Sequence, residues 1–222
     1  MNNNNHEFTL LKNYPKQVDW HAEIKPKPVH TLMDETAKNY GSRPAFDFLG
    51  KKWDWGEIAT LVDKMAKGLQ NQGVGKGIKV GLFLPNSPYF VISYYAVLKA
   101  GGTVVNYNPL YVERELEHQI EDSETDILIT ADLEMLYSKA HKLLHSSRLR
   151  KLVICSFTES LPFPKNLLFK LFRGKDLAKL EHPDDYVSVA ELTNNDGVPE
   201  QVDINPEEDV AVLQYTGGTT GV

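Results

Sequence analysis

With 222 residues, 41% of them hydrophobic, the chain is long enough to bury a sizeable core and too apolar to be a disordered tail. A net charge of −6 excludes the basic footprint that neutralising nucleic-acid phosphates requires, so nucleic acid is not an expected partner. The single cysteine rules out an internal disulfide framework and fits a reducing, cytoplasmic setting, and MNNNNHEFTL lacks the basic start, apolar stretch and cleavage site of a secretory leader.

Residues 1–28 read as a partly disordered arm ahead of one domain over 29–222. AFDFLGKKWDW predicts a small hairpin turning at Gly50. The next stretch, WDWGEIATLVDKMAKGLQNQG, opens with Asp54 and Glu57 at capping-box spacing. It sets Ile58, Leu61, Val62, Met65 and Leu69 on one stripe and stops at Gly73, as an amphipathic helix does. GVGKG, residues 73–77, has the look of a nucleotide loop. It follows a helix and precedes a strand, however, whereas phosphate loops follow a strand and open a helix, so a helix stop and turn is expected.

Strands are predicted over 78–84, 103–106, 126–130, 151–155 and 210–215. Runs such as ILIT and LVIC are apolar at consecutive positions, which suits strands of a parallel sheet covered on both faces. Between them, Ser87 and Pro88 suit the cap and first turn of a helix that ends before Gly101 and Gly102; its most apolar stretch, residues 89–98, is about half of what a bilayer crossing needs. VERELEHQIEDSE and residues 132–145 predict two more helices.

Some chemistry-bearing residues along the way carry plainer readings. Glu113, Glu115, Glu117, Glu121, Asp122 and Glu124 could gather a cation, but the first of them complement a helix N-terminus and the rest suit a solvated face. His141 and His145 lie four apart on a helix, yet HKLLH lacks the glutamate of a zinc-protease helix and no third ligand is evident, so no metal site is assigned. Cys155 closes an apolar strand without an activating neighbour and reads as a buried structural thiol.

Residues 156–185 read as a variable insertion. Within 161–180, Lys165, Lys170, Arg173, Lys175 and Lys179 face one acid, Asp176, a local reversal of charge in an acidic chain. A helix capped by Asn166 would spread Leu167, Leu168, Phe169, Leu171 and Phe172 over an apolar arc, with Lys170 and Arg173 on the opposite side. That segment can lie in a membrane interface, with Leu167, Leu168, Leu171 and Phe172 in the acyl boundary and Lys170 and Arg173 at anionic headgroups. Alternatively its apolar face packs back onto the domain, a reading with a slight edge because amphipathic helices usually face a core.

The chain closes on LQYTGGTTGV. Behind the strand over 210–215, Gly217, Gly218 and Gly221 let backbone approach a ligand closely, and Thr216, Thr219 and Thr220 add hydroxyl donors, a set that suits a polyphosphate. A glycine-rich surface turn is the alternative from spacing alone, since this is not the G-x-x-x-x-G-K-[ST] loop.

YTGGTTG resembles the phosphate-binding signature Y-T-[SG]-G-T-T-G-x-P-K-G of the adenylate-forming enzymes, the superfamily of acyl-CoA synthetases, luciferases and peptide-synthetase adenylation domains. LPNSPYFVISYYAVLKAGGTVVNYNPLY and ERELEHQIEDSETDILIT are similar to the segment before that loop in bacterial long-chain fatty-acid–CoA ligases. NYPKQV is similar to their N-terminal arm, and WDWGEI stands where the family has T-Y-x-E-L. The likeness runs over residues 10–221 and is weakest over 156–185.

This resemblance implies an α/β fold with a mainly parallel sheet flanked by helices on both faces, the N-terminal part of the large domain of an adenylate-forming enzyme. It implies ligation of a long-chain fatty acid to coenzyme A with ATP and Mg²⁺, with Tyr215, Thr216, Gly217, Gly218, Thr219, Thr220 and Gly221 at the ATP phosphates. It also implies a protein of the cytoplasm, with peripheral attachment at the inner face of the membrane and a homodimer left open. The chain ends at Val222, before the loop lysine, the acyl pocket and the C-terminal lid with its catalytic lysine, so an inactive N-terminal fragment is expected and no catalytic residue is assigned. Two rivals stay open: an adenylate-forming ligase for another carboxylic acid or an acyl carrier, and a non-catalytic α/β module.

Overall fold

The computed structural model describes residues 13–216. In chain order its elements are α1 (Thr31–Tyr40), β1 (Pro44–Phe48), β2 (Lys51–Asp54), α2 (Trp55–Asn71), β3 (Lys79–Phe83), α3 (Pro88–Lys99), β4 (Thr103–Asn106), α4 (Glu113–Ser123), β5 (Ile127–Ala131), α5 (Glu134–Ser146), β6 (Lys151–Cys155), α6 (Lys165–Phe172), β7 (Tyr186–Ser188), α7 (Val189–Leu192) and β8 (Val212–Gln214). Among the described residues β1 and β2 pair as an antiparallel hairpin, and six strands form one sheet in the order β7-β6-β5-β3-β4-β8, parallel throughout.

The apolar runs lie where covering on both faces demands them: β5 is buried at every position, as is β6 after Lys151. From β3 the chain steps to β4 on one side, then through β5 to β6 on the other. Right-handed crossovers therefore set α3 on one face of the sheet and α4 and α5 on the opposite face. Such a reversal leaves a crevice at the C-terminal ends of β3 and β4, the usual place for a ligand in an open α/β sheet.

Helix α2 forms as its sequence directs. Asp54 accepts a hydrogen bond from the Glu57 N–H (2.7 Å) while Glu57 accepts one from the Asp54 N–H (2.9 Å), and Ile58, Val62, Met65, Ala66 and Leu69 are buried. Gly73 ends the turn at φ +88°, so GVGKG is a helix stop. Lys99 of α3 joins Asp34 of α1 (2.6 Å) and Asp63 of α2, tying three helices together. Burial alone would lower the Lys99 pKa, but its two carboxylate partners outweigh that and hold it above the ordinary value.

Three elements go beyond the sequence reading: α1, with Met33 alone buried, and the short β7 and α7, which carry no apolar run of their own. Strand β8 is shorter than the expected 210–215, because Val210 is exposed and its carbonyl accepts from the Thr103 hydroxyl (2.9 Å). Helix α6 starts at Lys165 with Pro164 at the N-cap, so Asn166 lies inside the first turn and is not the cap.

The glycine inside α2 has a tertiary cause. A Cβ on Gly68 would stand 2.1 Å from the Leu192 carbonyl oxygen, so α7 can close on α2 only where a side chain is missing. Gly68→Ala should therefore destabilise the chain by about 1–3 kcal/mol in urea unfolding, although alanine is the better helix former.

Candidate functional site

Strand β8 enters the sheet beside β4 with Val104 opposite Val212, Val105 opposite Leu213 and Asn106 opposite Gln214. This register puts the Asn106 and Gln214 amides side by side, with Asn106 Nδ2 donating to Gln214 Oε1 at 2.7 Å. One residue on, the Tyr215 hydroxyl donates to Asp122 of α4. Burial first, then the Asp122 carboxylate, pushes the Tyr215 hydroxyl well above its ordinary range, so it stays a donor at neutral pH.

Around this end of β8 opens a cleft of about 380 Å³, lined among others by Asn86, Asn106, Tyr107, Gln119, Gln214 and Tyr215. It sits at the C-terminal ends of β3, β4 and β8, next to the start of α3, where Ser87 is the N-cap and Pro88 the first residue. A helix start of this kind supplies unpaired backbone N–H groups to an anion.

Two atoms in the lining have no partner. Asn106 Oδ1 and Gln119 Oε1 are buried without a hydrogen bond, although Gln119 is only 6% exposed. A buried amide oxygen left unpaired is costly, and here both belong to residues that line one cleft. They suit a ligand that carries hydroxyl or amine donors.

The wall behind them is fixed. The Tyr107 hydroxyl meets Thr125 Oγ1 at 2.7 Å and Ser123 Oγ at 3.1 Å, and its ring lies against Gly81, where a Cβ would come within 2.6 Å. Burial raises the Tyr107 pKa and keeps the phenol neutral. Another cleft, of about 320 Å³ and lined by Lys76, Thr103 and Ala211, opens at the N-terminal ends of the same strands, away from the crevice left by the strand order.

Of the phosphate positions expected from the sequence, Tyr215 and Thr216 lie at this mouth directly after β8, and Gly217, Gly218, Thr219, Thr220 and Gly221 lie outside the described residues. The sequence reading did not find Asn106 and Gln119, whose isolation follows from the β4–β8 register and the seat of α4. Within the acidic cluster Glu115 accepts from the Val112 N–H, Glu113 pairs with Lys142, Glu121 accepts from the Arg148 N–H and Glu124 pairs with Lys79. Cys155 is buried, and burial pushes its thiol far up, away from the thiolate form.

Helix α6 carries Leu167, Leu168, Lys170, Leu171 and Phe172, with Arg173 at its C-cap, and none of its residues is buried. Phe169 packs on Phe157 at 5.1 Å, whereas Leu171 and Phe172 are 74% and 71% exposed. Arg173 is paired with Asp176, and the charge of Lys170 reaches Asp132. The histidine pair, too, gains a partner that local spacing could not reveal, Asp185, 40 residues beyond His145.

The family model described as AMP-binding enzyme matches residues 33–222. A long-chain-fatty-acid–CoA ligase of Bacillus subtilis (strain 168) is 40% identical over 217 residues, covering 95% of this chain and 38% of the relative. One from Escherichia coli O157:H7 is 33% identical over 225 residues, covering 96% and 38%. The chain thus spans well under half the length of these relatives. Among solved structures, a long-chain-fatty-acid–CoA ligase of Archaeoglobus fulgidus aligns with TM-score 0.69 at 26% identity, over 94% of this chain and 38% of that one. An anthranilate–CoA ligase solved with anthranoyl-AMP, TM-score 0.71 at 17% identity over 90% and 34%, is alike in fold.

The orphaned amide of Gln119 can be tested on the chain itself. Gln119→Met removes an unpaired acceptor and keeps the volume, so urea unfolding should show stability unchanged or raised by up to about 1 kcal/mol. A loss beyond about 1 kcal/mol would mean that the Gln119 amide makes bonds that outweigh its unpaired oxygen.

Proposed function

The chain belongs to the AMP-binding enzyme family, matching its model over residues 33–222, and we propose that the whole protein is a long-chain fatty-acid–CoA ligase of which this is the N-terminal part. The observation that carries the proposal is the exit of β8: parallel pairing delivers Tyr215 and Thr216 to the C-terminal mouth of the sheet immediately before GGTTG. The two ligase relatives support the substrate class.

The proposed reaction has two steps. A fatty carboxylate oxygen attacks the α-phosphorus of ATP, forming an acyl–phosphate bond as the bond to pyrophosphate breaks. The thiol of coenzyme A then attacks the acyl carbon, forming the thioester as AMP leaves. Activation is needed because a free carboxylate has a poor leaving group. Thr216 and the following GGTTG would meet the β- and γ-phosphates with hydroxyl and N–H donors, holding them in line for attack. Mg²⁺ would neutralise charge on the departing pyrophosphate. Asn106 and Gln119 would accept from donors of the bound substrates beside the phosphates.

The whole protein should release pyrophosphate only when ATP and a long-chain fatty acid such as palmitate are both present, and should then form the acyl-CoA. Thr219→Ala with Thr220→Ala should lower kcat/KM on the order of 100-fold. Turnover with benzoate or an amino acid but not palmitate would replace the fatty-acid reading with another acid. The 222-residue chain by itself, 38% of the relatives' length, should release none.

We propose in addition that the α6 face touches a membrane surface, which supports collecting a substrate that partitions there. Among the described residues no helix is long and apolar enough to cross a membrane, so contact would be interfacial. The exposed Leu171 and Phe172 beside Lys175 and Lys179 support it. The chain should sediment with vesicles containing anionic lipid, less so at high salt, and Leu171→Ser with Phe172→Ser should abolish this. A wild-type chain that stays in the supernatant at low salt overturns the reading.

A further inference from the structure

Away from the mouth of the sheet, α5 carries His141 and His145 one turn apart, and the loop into β7 brings Asp185 against both. Asp185 Oδ2 lies 3.1 Å from His141 Nε2 and 3.0 Å from His145 Nε2, and the two imidazole nitrogens are 3.4 Å apart. Ligands held at about 2.0–2.1 Å around a tetrahedral Zn²⁺ stand roughly 3.3 Å from one another, so these three atoms already have the dimensions of one coordination face. We propose that His141, His145 and Asp185 form a binding site for Zn²⁺ or a divalent ion of similar size and preference.

The surroundings hold the triangle in place. The His141 ring is flanked by Tyr137, centroids 5.5 Å apart, and stacks on His182 at 5.8 Å with planes 15° apart. The loop carrying Asp185 is fastened next door, where Lys151 Nζ donates to the Asp184 carbonyl at 2.7 Å. His145 is 57% exposed in side chain, so an ion can enter from solvent and keep water in its remaining position.

Two imidazoles and one carboxylate favour Zn²⁺ or Co²⁺ over Mg²⁺ and Ca²⁺, which prefer oxygen donors. Binding requires each neutral ring to carry its proton on Nδ1, so that both Nε2 lone pairs face the ion. The site lies at the β7 side of the sheet, opposite the edge where β8 opens the candidate active site. An ion there would cross-link α5 to the end of the 156–185 excursion, a structural clasp distinct from any Mg²⁺ that accompanies ATP.

The test uses the 222-residue chain without a polyhistidine tag, stripped with chelator and desalted. Titration with Zn²⁺ against a chromophoric competitor should show one equivalent bound, unaffected by equal Mg²⁺, and Co²⁺ should give the intense visible bands of a tetrahedral or five-coordinate ion. His145→Gln and Asp185→Asn should each weaken Zn²⁺ binding at least tenfold. His118→Gln, exposed on α4, should leave it unchanged. Because His145 is exposed at the end of α5, its replacement keeps the fold, which circular dichroism checks. The proposal is overturned if the wild-type chain binds no equivalent of Zn²⁺, if the two ligand variants bind as tightly as wild type, or if His118→Gln loses binding equally.

Discussion

The pairing of β8 with β4 is the contact on which the candidate site depends. It joins residues more than 100 positions apart through a three-residue register, reinforced by the Val104 N–H donating to the Ala211 carbonyl at 3.0 Å. Because every strand of the sheet runs parallel, closing this pair forces β8 to point the same way as β3 and β4. Tyr215 and Thr216 must then leave the sheet at the edge where α3 begins. A slip of one residue would turn Gln214 to the other face and separate it from Asn106. The direction in which Tyr215 and Thr216 leave the sheet is thus a consequence of strand pairing.

That dependence explains why the mouth is rigid where it is built and polar where it is open. Gly81 lets the Tyr107 ring lie against β3, and the Ser123 and Thr125 hydroxyls hold the phenol at the end of α4. This seats Asp122 to receive Tyr215, so the wall and the incoming strand are joined through one helix end. Against this fixed frame the two unpaired amide oxygens stand out, since nearly every other buried polar side chain among the described residues has a partner.

Most of the sheet was legible because burial on both faces leaves short continuous apolar runs, as in β5 and β6. The clearest helix signal was a cap together with a stripe, as in α2, where Asp54, Glu57 and Gly73 set the limits. Elements that owe their existence to neighbours left no such trace: β7 pairs with β6 through three half-buried residues, and α7 depends on the gap at Gly68. The site divides the same way. The motif from Tyr215 onward is a local pattern and could be read, whereas Asn106, Gln119 and Asp185 acquire meaning only when long-range pairing sets them beside their neighbours. For the histidines the local reading stopped at two ligands because the third lies on another element.

The excursion between β6 and β7 shows how firmly a segment can be held while its apolar face stays outward. Leu177 bridges to Leu133, the Ala178 N–H donates to the Asp132 carbonyl at 2.8 Å, the Tyr137 hydroxyl donates to the Glu181 carbonyl at 3.3 Å, and Asp185 meets the two histidines. At its start Lys165 reaches the Leu49 carbonyl of the hairpin at 2.7 Å. Helix α6 is therefore anchored before and after, and only Phe169 turns in toward Phe157. An amphipathic helix loosely attached to a domain would be expected to roll its leucines inward, since each buried apolar side chain is worth roughly 1.5–3 kcal/mol. Here the anchors forbid that roll. The exposure of Leu171 and Phe172 follows from the way the excursion is tied along α5, and a surface held out in this manner is available to whatever apolar phase or further part of the protein meets it.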